Sequence, residues 1–185
     1  MAEYYRTFLA IPLHEGVNRQ LHRWLAPHAA GLKLRLVPPE NRHLTLAFLG
    51  ETPVEEIAPI AQALEEALAE TVVEEITLGG LGVFPHSGVP RVLWAGFEAG
   101  PWLAAFHHTV WEVLTRFGFV REKGVFVPHC TLSRPKAAAE EGVRELVAAS
   151  AGLRFGSWVP DRLLFYASVP DPGGVLYSVL ATISL

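Results

Sequence analysis

The sequence predicts an α+β fold with a largely antiparallel sheet, and three observations favour that class. Strand-like and helical segments are mixed without regular βαβ alternation, which argues against a parallel sheet. The 185 residues are 50% hydrophobic and 18% charged, which is enough to bury a sizeable core. A strand-like tetrad of the form His-x-Thr-Leu occurs twice, starting at His43 and at His129, each time after a strand and a helix. The repeat predicts two pseudo-symmetric lobes within a single domain spanning residues 1–185.

The first half of the chain alternates short β-rich runs with segments of helical spacing. "YRTFLAIPL" is short and aromatic and is closed by a proline, which favours a strand. "LKLRLV" alternates apolar and basic residues like a half-buried strand. Thr52 and Pro53 are predicted to open a helix as its N-cap and first residue. The predicted elements are a strand at 5–13, a helix at 14–30, a strand at 32–37, a strand from 43 that Gly50 ends, and a helix from 52 to about 70.

The second half predicts two strands around a Gly/Pro-rich connection, then two helices separated by the second tetrad. The strand "VFVPHCTLSRP" is bounded by Gly124 and Pro135. Three further strand-like runs, "LRFGSWV", "RLLFYASV" and "VLYSVLATISL", complete the chain. The remaining predicted boundaries are a connection at 84–90, a helix at 101–117 and a helix at 137–149.

The net charge and the cysteine content limit which partners and which cellular compartment are expected. The net charge of −4 provides no broad cationic field for duplex nucleic acid, although a short or terminal piece held by local contacts is compatible with it. One cysteine allows no internal disulfide. We find neither a signal-peptide pattern nor an apolar run of roughly 18 residues. These features predict a soluble cytoplasmic protein without a membrane partner.

The two tetrads, "HLTL" and "HCTL", place an imidazole beside a hydroxyl on one strand face. In a strand, residues two apart share a face about 6.6 to 6.8 Å apart. His43 and Thr45 should therefore face one way, with Leu44, Leu46 and Phe48 on the core side. His129, Thr131 and Ser133 should share the second face, opposite Phe126, Cys130 and Leu132. A third His-x-Thr, at His107 to Thr109, lies in a predicted helix, where residues two apart diverge by about 200°. That copy is an internal control for chance.

Two imidazoles and two hydroxyls suit displacement at phosphorus. One imidazole can take a proton from water while the other protonates the departing oxygen, in either order. The hydroxyls can orient a phosphate through hydrogen bonds. No carboxylate cluster adjoins either tetrad, so we expect no metal and no other cofactor. A lone strand histidine is usually a structural residue, so the prediction rests on the matched pair.

Five blocks in order, "RTFLAIPL", "VPPENRHLTLAFLGE", "LGGLGVFP", "PRVLWAGF" and "FVPHCTLSRP", resemble the two-histidine phosphoesterase superfamily. The most similar branch is the bacterial and archaeal family of RNA 2′,3′-cyclic phosphodiesterases, also called 2′-5′ RNA ligases. The resemblance implies a bilobal fold of two antiparallel sheets with outer helices and a central cleft that carries the tetrads. It also implies metal-independent hydrolysis of terminal 2′,3′-cyclic phosphates of RNA to 2′-phosphates. Some members join tRNA halves through a 2′-5′ linkage without ATP.

By the same resemblance, His43 is the proton donor to the leaving 3′-oxygen and His129 is the base for water. Thr45 and Thr131 bind the phosphate, and Arg134 helps to neutralise its charge. The implied partner is RNA with a 2′,3′-cyclic phosphate end, including tRNA halves, and we expect a monomer. The chain departs from many relatives in having Leu36 and Val37 where they have a tryptophan, and Cys130 where valine is usual.

Several other residues invite functional interpretations. Trp94 and Phe8 are expected in the core, although both could approach the cleft, and Arg91 could meet a nucleotide. Cys130 should point away from His129, because adjacent strand residues face opposite sides, so a Cys-His nucleophile is not expected. The histidines expected at the surface are His14, His22, His28, His86 and His108. The cations expected to form a basic RNA-binding surface are Arg35, Arg42, Arg121 and Lys123.

Two alternative functions remain open at this stage. One keeps the chemistry but takes a small cyclic nucleotide derivative, such as ADP-ribose 1″,2″-cyclic phosphate, as substrate. The other is a non-catalytic module that binds RNA ends, in which the His-Thr pairs only hold phosphate. Turnover separates the second alternative from an enzyme.

Overall fold

The computed structural model describes residues 3–121, 123–171 and 174–185. Within these ranges the chain forms eight strands and four α-helices. The strands are β1 (Tyr4–Pro12), β2 (His43–Pro53), β3 (Ile76–Phe84), β4 (Val92–Ala99), β5 (His129–Ser133), β6 (Arg154–Trp158), β7 (Arg162–Asp171) and β8 (Gly174–Ser184). The helices are α1 (Glu15–Gly31), α2 (Val54–Leu68), α3 (Trp102–Arg116) and α4 (Glu140–Ala149).

The strands form two four-stranded antiparallel sheets, which confirms the predicted α+β class. The first sheet has the order β2-β1-β7-β8 and the second the order β5-β4-β3-β6. One core joins the first sheet to α2 and α3, and the other joins the second sheet to α1 and α4. In these helices the buried apolar residues recur about every three or four positions, as expected for an amphipathic helix. β2 and β5 are edge strands of different sheets and lie against each other.

The prediction of a strand at 32–37 is wrong, because the first backbone N–H groups of this segment are hydrogen-bonded to the last turn of α1. The N–H groups of Leu32 and Leu34 donate to the carbonyls of His28 and Ala29. Lys33 has a left-handed backbone with φ of 52°, which is a turn conformation. Within this segment a single bridge, between Leu36 and Ser133, joins the sheet next to β5.

The predicted start of α2 is also wrong, by one residue. Thr52 remains in β2, where it is fully buried and its hydroxyl shares a 2.7 Å hydrogen bond with that of Thr7. Pro53 is the N-cap, and the helix ends at Leu68 rather than near Glu70. The threonine hydroxyl satisfies a buried partner in the neighbouring strand, so it does not cap the helix.

The second tetrad strand is shorter than predicted. β5 begins at His129, and residues 125–128 lie outside the sheet. Phe126 does not share the Cys130 core; its ring stacks on His107 at 3.8 Å between centroids. Ser133 is buried, and its hydroxyl donates to the carbonyl of Arg35 rather than facing a cleft. The packing of Phe126 against α3 therefore replaces strand pairing at this point.

A β-bulge in β2 reverses one predicted side-chain direction. In the pairing with β1, Leu9 meets Ala47 but Ala10 meets Thr45, so Leu46 is an extra residue. Leu44 and Leu46 are buried as predicted, but Phe48 turns to the face that carries His43 and is 59% exposed. The predicted simple alternation fails beyond Leu46, because the bulge shifts it by one residue.

No helix among the described residues is long and apolar enough to cross a membrane.

Candidate active site

The contact between β2 and β5 brings the two tetrads together. His43 and His129 are the first residues of these strands and interact electrostatically with each other. The backbone of His43 also hydrogen-bonds to the thiol of Cys130. The structure therefore unites two short sequence segments that come from different sheets. The third His-x-Thr lies in α3, so it cannot form a similar pair of faces.

The His43 imidazole lies on an aromatic floor. Its ring is 4.9 Å from Phe8, 5.5 Å from Tyr177 and 6.0 Å from Tyr166, measured between centroids. Burial lowers the pKa of His43 to about 4, with a smaller contribution from the nearby His129, while a hydrogen bond to the backbone of Asn41 acts in the opposite direction. His43 is therefore neutral at neutral pH in the free protein.

The His129 imidazole is held by the chain segment that precedes it. Its Nδ1 lies 2.8 Å from the carbonyl oxygen of Val127. A carbonyl can only accept, so Nδ1 carries the proton and Nε2 of the neutral ring keeps its lone pair. The ring edge contacts Phe84 at 5.0 Å between centroids. Both catalytic candidates thus bond to the backbone two residues upstream, Asn41 for His43 and Val127 for His129.

The two threonines of the tetrads are partly buried and present free hydroxyls. Within the described part of the chain, neither Thr45 nor Thr131 hydrogen-bonds through its side chain to another protein group. By contrast, the buried hydroxyls of Thr7 and Thr52 bond to each other. Because neither hydroxyl is committed to a protein partner, both are available to a ligand.

Arg134 is exposed at the far end of β5. It lines a groove with Lys33, Arg35 and Lys136 and also acts electrostatically on the hydroxyl of Tyr177. Tyr177 in turn contacts His43. The residue predicted to meet the phosphate therefore stands at the edge of the site, one aromatic ring away from His43.

Aromatic residues of the site were missed or misplaced at the level of sequence. Phe8 is buried as expected, yet it lies on the cleft face beneath His43. Trp94 was expected in the core, but its half-buried ring lies 6.2 Å from His129. It packs flat on Gly82, where an added Cβ would come within 2.2 Å of the indole. Tyr166 and Tyr177 carry no sequence signal for the site, because only the pairing of β7 with β1, and of β8 with β7, brings them there.

Burial decides between the possible roles of Arg42 and Cys130. Arg42 is only 2% exposed and does not belong to the predicted basic surface. Its guanidinium bonds to the carbonyl of Val37 and the side chains of Asn18 and His22, and burial lowers its pKa. It therefore holds the segment before β2 in place. Cys130 is fully buried on the core side, and burial raises its thiol pKa to about 12, which opposes a nucleophilic role.

The remaining predictions concern exposed residues and metal ligands. Arg91 is exposed at the end of the connection between β3 and β4, and its N–H donates to the Phe84 carbonyl. The five histidines predicted at the surface, His14, His22, His28, His86 and His108, are all exposed. Among the residues that the structure describes, no three His, Cys, Asp or Glu side chains are grouped as metal ligands.

Known proteins share both the sequence and the fold of this chain. Residues 11–94 match the family described as LigT like Phosphoesterase. An RNA 2′,3′-cyclic phosphodiesterase of Archaeoglobus fulgidus is 31% identical over 175 residues, which is 95% of this chain and 97% of the relative. The enzyme of the same name from Thermotoga maritima is 32% identical over 95% of this chain and 92% of its own.

Two solved structures extend this comparison. A Thermus thermophilus protein superposes with a TM-score of 0.78 at 30% identity and covers 97% of both chains. Escherichia coli LigT complexed with 3′-AMP gives a TM-score of 0.79 at 28% identity over 99% of both chains. Sequence identity above 30% along nearly the whole chain, together with the same fold, leads to one conclusion. This chain belongs to the LigT-like phosphoesterase family, within the two-histidine phosphoesterase superfamily.

Proposed function

We propose that this protein hydrolyses terminal 2′,3′-cyclic phosphates of RNA to 2′-phosphates. The observation that carries the proposal is the pair of imidazoles on adjoining edge strands, each with a free threonine hydroxyl on the same face. The relatives from Archaeoglobus fulgidus and Thermotoga maritima bear the name of this activity, which supports the substrate class.

In this mechanism a water molecule attacks the phosphorus of the cyclic phosphate. Nε2 of His129 takes the proton of the water, since Nδ1 already donates to the Val127 carbonyl. The new P–O bond forms as the bond from phosphorus to the 3′-oxygen breaks. Protonated His43 then delivers its proton to that 3′-oxygen, which becomes a hydroxyl. The 2′-oxygen stays on phosphorus, so the product is a 2′-phosphate, and the two histidines have exchanged protonation states.

In this proposal the hydroxyls of Thr45 and Thr131 bind the phosphate. Each can donate to a non-bridging oxygen and hold the phosphorus in line with the attacking water. Arg134 adds positive charge from the edge of the site, where its field already reaches Tyr177. We also propose that a 5′-hydroxyl of a second RNA, as in tRNA halves, can replace water as the nucleophile, which gives ligation. The strained cyclic ester then supplies the free energy, so ATP is not needed.

The decisive experiment incubates an RNA that ends in a 2′,3′-cyclic phosphate with the protein in excess EDTA. We expect a 2′-phosphate product, identified by the position of its phosphate. His43→Ala and His129→Ala should each lower kcat by about 10²- to 10⁴-fold, the usual contribution of a general acid or base. His108→Ala is the matched control, because His108 is exposed on α3, where it forms an i,i+4 ion pair with Glu112.

Three outcomes would contradict the proposal in different ways. Near-normal kcat in either tetrad variant would make that histidine structural. Tight RNA binding by the wild type without turnover would favour a binding module. Turnover of ADP-ribose 1″,2″-cyclic phosphate, but not of RNA, would keep the chemistry and change the substrate.

A further inference from the structure

A pocket separate from the groove that Arg134 lines adjoins the tetrads. It is a pocket of about 330 Å³, within the usual range for small-ligand sites of about 300–1,000 Å³. Thr45 and His129 form part of its wall, so it opens directly onto the candidate active site. Its other polar lining residues are His107, Arg121 and Lys123, and its apolar side chains include Phe48, Phe84 and Phe126. We call this region the aromatic pocket.

Phe48 is the most unusual member of the aromatic pocket. It is 59% exposed, although the neighbouring cleft-face ring of Phe8, 5.9 Å away, is almost fully buried. The bulge at Leu46 turns Phe48 out of the core and toward this pocket. Bulges often redirect a side chain next to a functional site. An aromatic ring left exposed beside a phosphate site is a surface on which a planar base can stack.

The floor of the aromatic pocket consists of packed, uncharged rings. His107 stacks on Phe126 with ring planes only 7° apart. Nε1 of Trp111 donates a 3.1 Å hydrogen bond to Nε2 of His107. Burial, with a further contribution from Arg121, lowers the pKa of His107 to about 4, so the ring is neutral. His107 is thus part of an apolar floor and not a third acid-base group.

Two cations stand at the rim of the aromatic pocket. Arg121 is close enough to His107 to affect its titration, and Lys123 lines the same opening. Glu122 lies between them in sequence and outside the described residues. In a chain with a net charge of −4, a pocket that joins aromatic rings to cations beside a phosphate site matches a nucleotide, which combines a planar base with an anionic phosphate.

We propose that the aromatic pocket binds the nucleotide that adjoins the terminal cyclic phosphate nucleotide. The base stacks on Phe48 and the linking phosphate meets Arg121 and Lys123. This inference rests on the proposed function and adds that the substrate is an oligonucleotide rather than a mononucleotide. Stacking reads the face common to all bases, so any base is accepted at this position.

The test compares a diuridylate that ends in a 2′,3′-cyclic phosphate with uridine 2′,3′-cyclic phosphate. We expect kcat/KM for the dinucleotide to exceed that for the mononucleotide by about tenfold or more, the effect of one stacked base. Phe48→Ala should reduce the ratio of the two values by about tenfold, and Phe48→Trp should restore it. Tyr4→Ala is the matched control, because Tyr4 is also a largely exposed ring of the same sheet but pairs with Pro53, far along β2.

Further comparisons distinguish this inference from alternative explanations. Equal kcat/KM values for both substrates, or equal losses on both in Phe48→Ala, would overturn it. Loss of the dinucleotide preference in Lys136→Ala, but not in Phe48→Ala, would overturn it by placing the RNA in the groove that Arg134 lines.

Binding of the 2′-phosphorylated products, measured by calorimetry, keeps the test independent of turnover. Tenfold tighter binding of the dinucleotide product without any hydrolysis by the wild type would overturn the proposed function and support the pocket. Hydrolysis by the wild type without such a difference in binding would support the proposed function and overturn the pocket.

Discussion

The lowered pKa of His43 makes a strong prediction about ligand binding. In the free protein this pKa is about 4, so only about 1% of His43 is protonated at pH 6. A general acid must carry a proton when the substrate is bound. The substrate itself must therefore raise the pKa of His43, and the only strong source of negative charge is its phosphate.

The size of that effect can be estimated from Coulomb's law. A unit negative charge about 4 Å from the imidazole, at an effective dielectric constant of about 20, contributes about 4 kcal/mol. One pKa unit corresponds to about 1.4 kcal/mol, so the pKa of His43 should rise by about three units, to about 7. At about 6 Å the same calculation gives a rise of about two units. Near pH 6, between about half and about nine-tenths of the His43 population should then be protonated.

The assay follows the imidazole Cε1–H resonance of His43 by NMR between pH 3.5 and 8, with and without saturating sulfate. Sulfate mimics the phosphate and does not titrate in this range. The His43→Ala variant assigns the resonance. We expect the midpoint to move from about 4 to between about 6 and 7. A midpoint that sulfate leaves unchanged would refute His43 as the acid and leave His129 in that role.

Three further outcomes follow from the site. The pH dependence of kcat/KM should be bell-shaped, and His43→Ala should flatten the alkaline limb of the profile of its residual activity. Flattening of the acidic limb instead would reverse the assignment of acid and base to the two histidines. Gly82→Ala should displace the Trp94 indole, with a loss of about 1–3 kcal/mol in the free energy of urea unfolding; an unchanged value would show that the indole moves freely. The unfolded state protonates its histidines near pH 6.5, whereas buried His107 resists protonation down to about pH 4. Stability should therefore fall as pH drops through this window, by up to about 3 kcal/mol for His107, and His107→Gln should weaken that dependence in urea titrations.

The sequence alone determined the secondary structure class and predicted the chemistry of the candidate site. Periodicity located the helices α1 and α3 to within a residue or two, because a helix that buries one face repeats its apolar residues every three to four positions. The tetrads marked His43 and His129 because the same two side chains recur on two strand faces. Local patterns failed where a nearby group competed for the backbone or side chain. Thr52 bonds to Thr7 instead of capping α2, and the C-terminal turn of α1 takes the backbone N–H groups of residues 32–34.

Tertiary structure decided which residues surround the two histidines. Phe48 faces the cleft only because the pairing of β2 with β1 contains an extra residue, and this register depends on a strand far away in sequence. Tyr177 reaches His43 through the pairing of β1 with β7 and of β7 with β8. The low pKa of His43 likewise arises from burial, which comes from several elements at once. Local sequence specifies the residues that can do the chemistry; long-range pairing and packing specify their environment, because register and desolvation are properties of the assembled sheets.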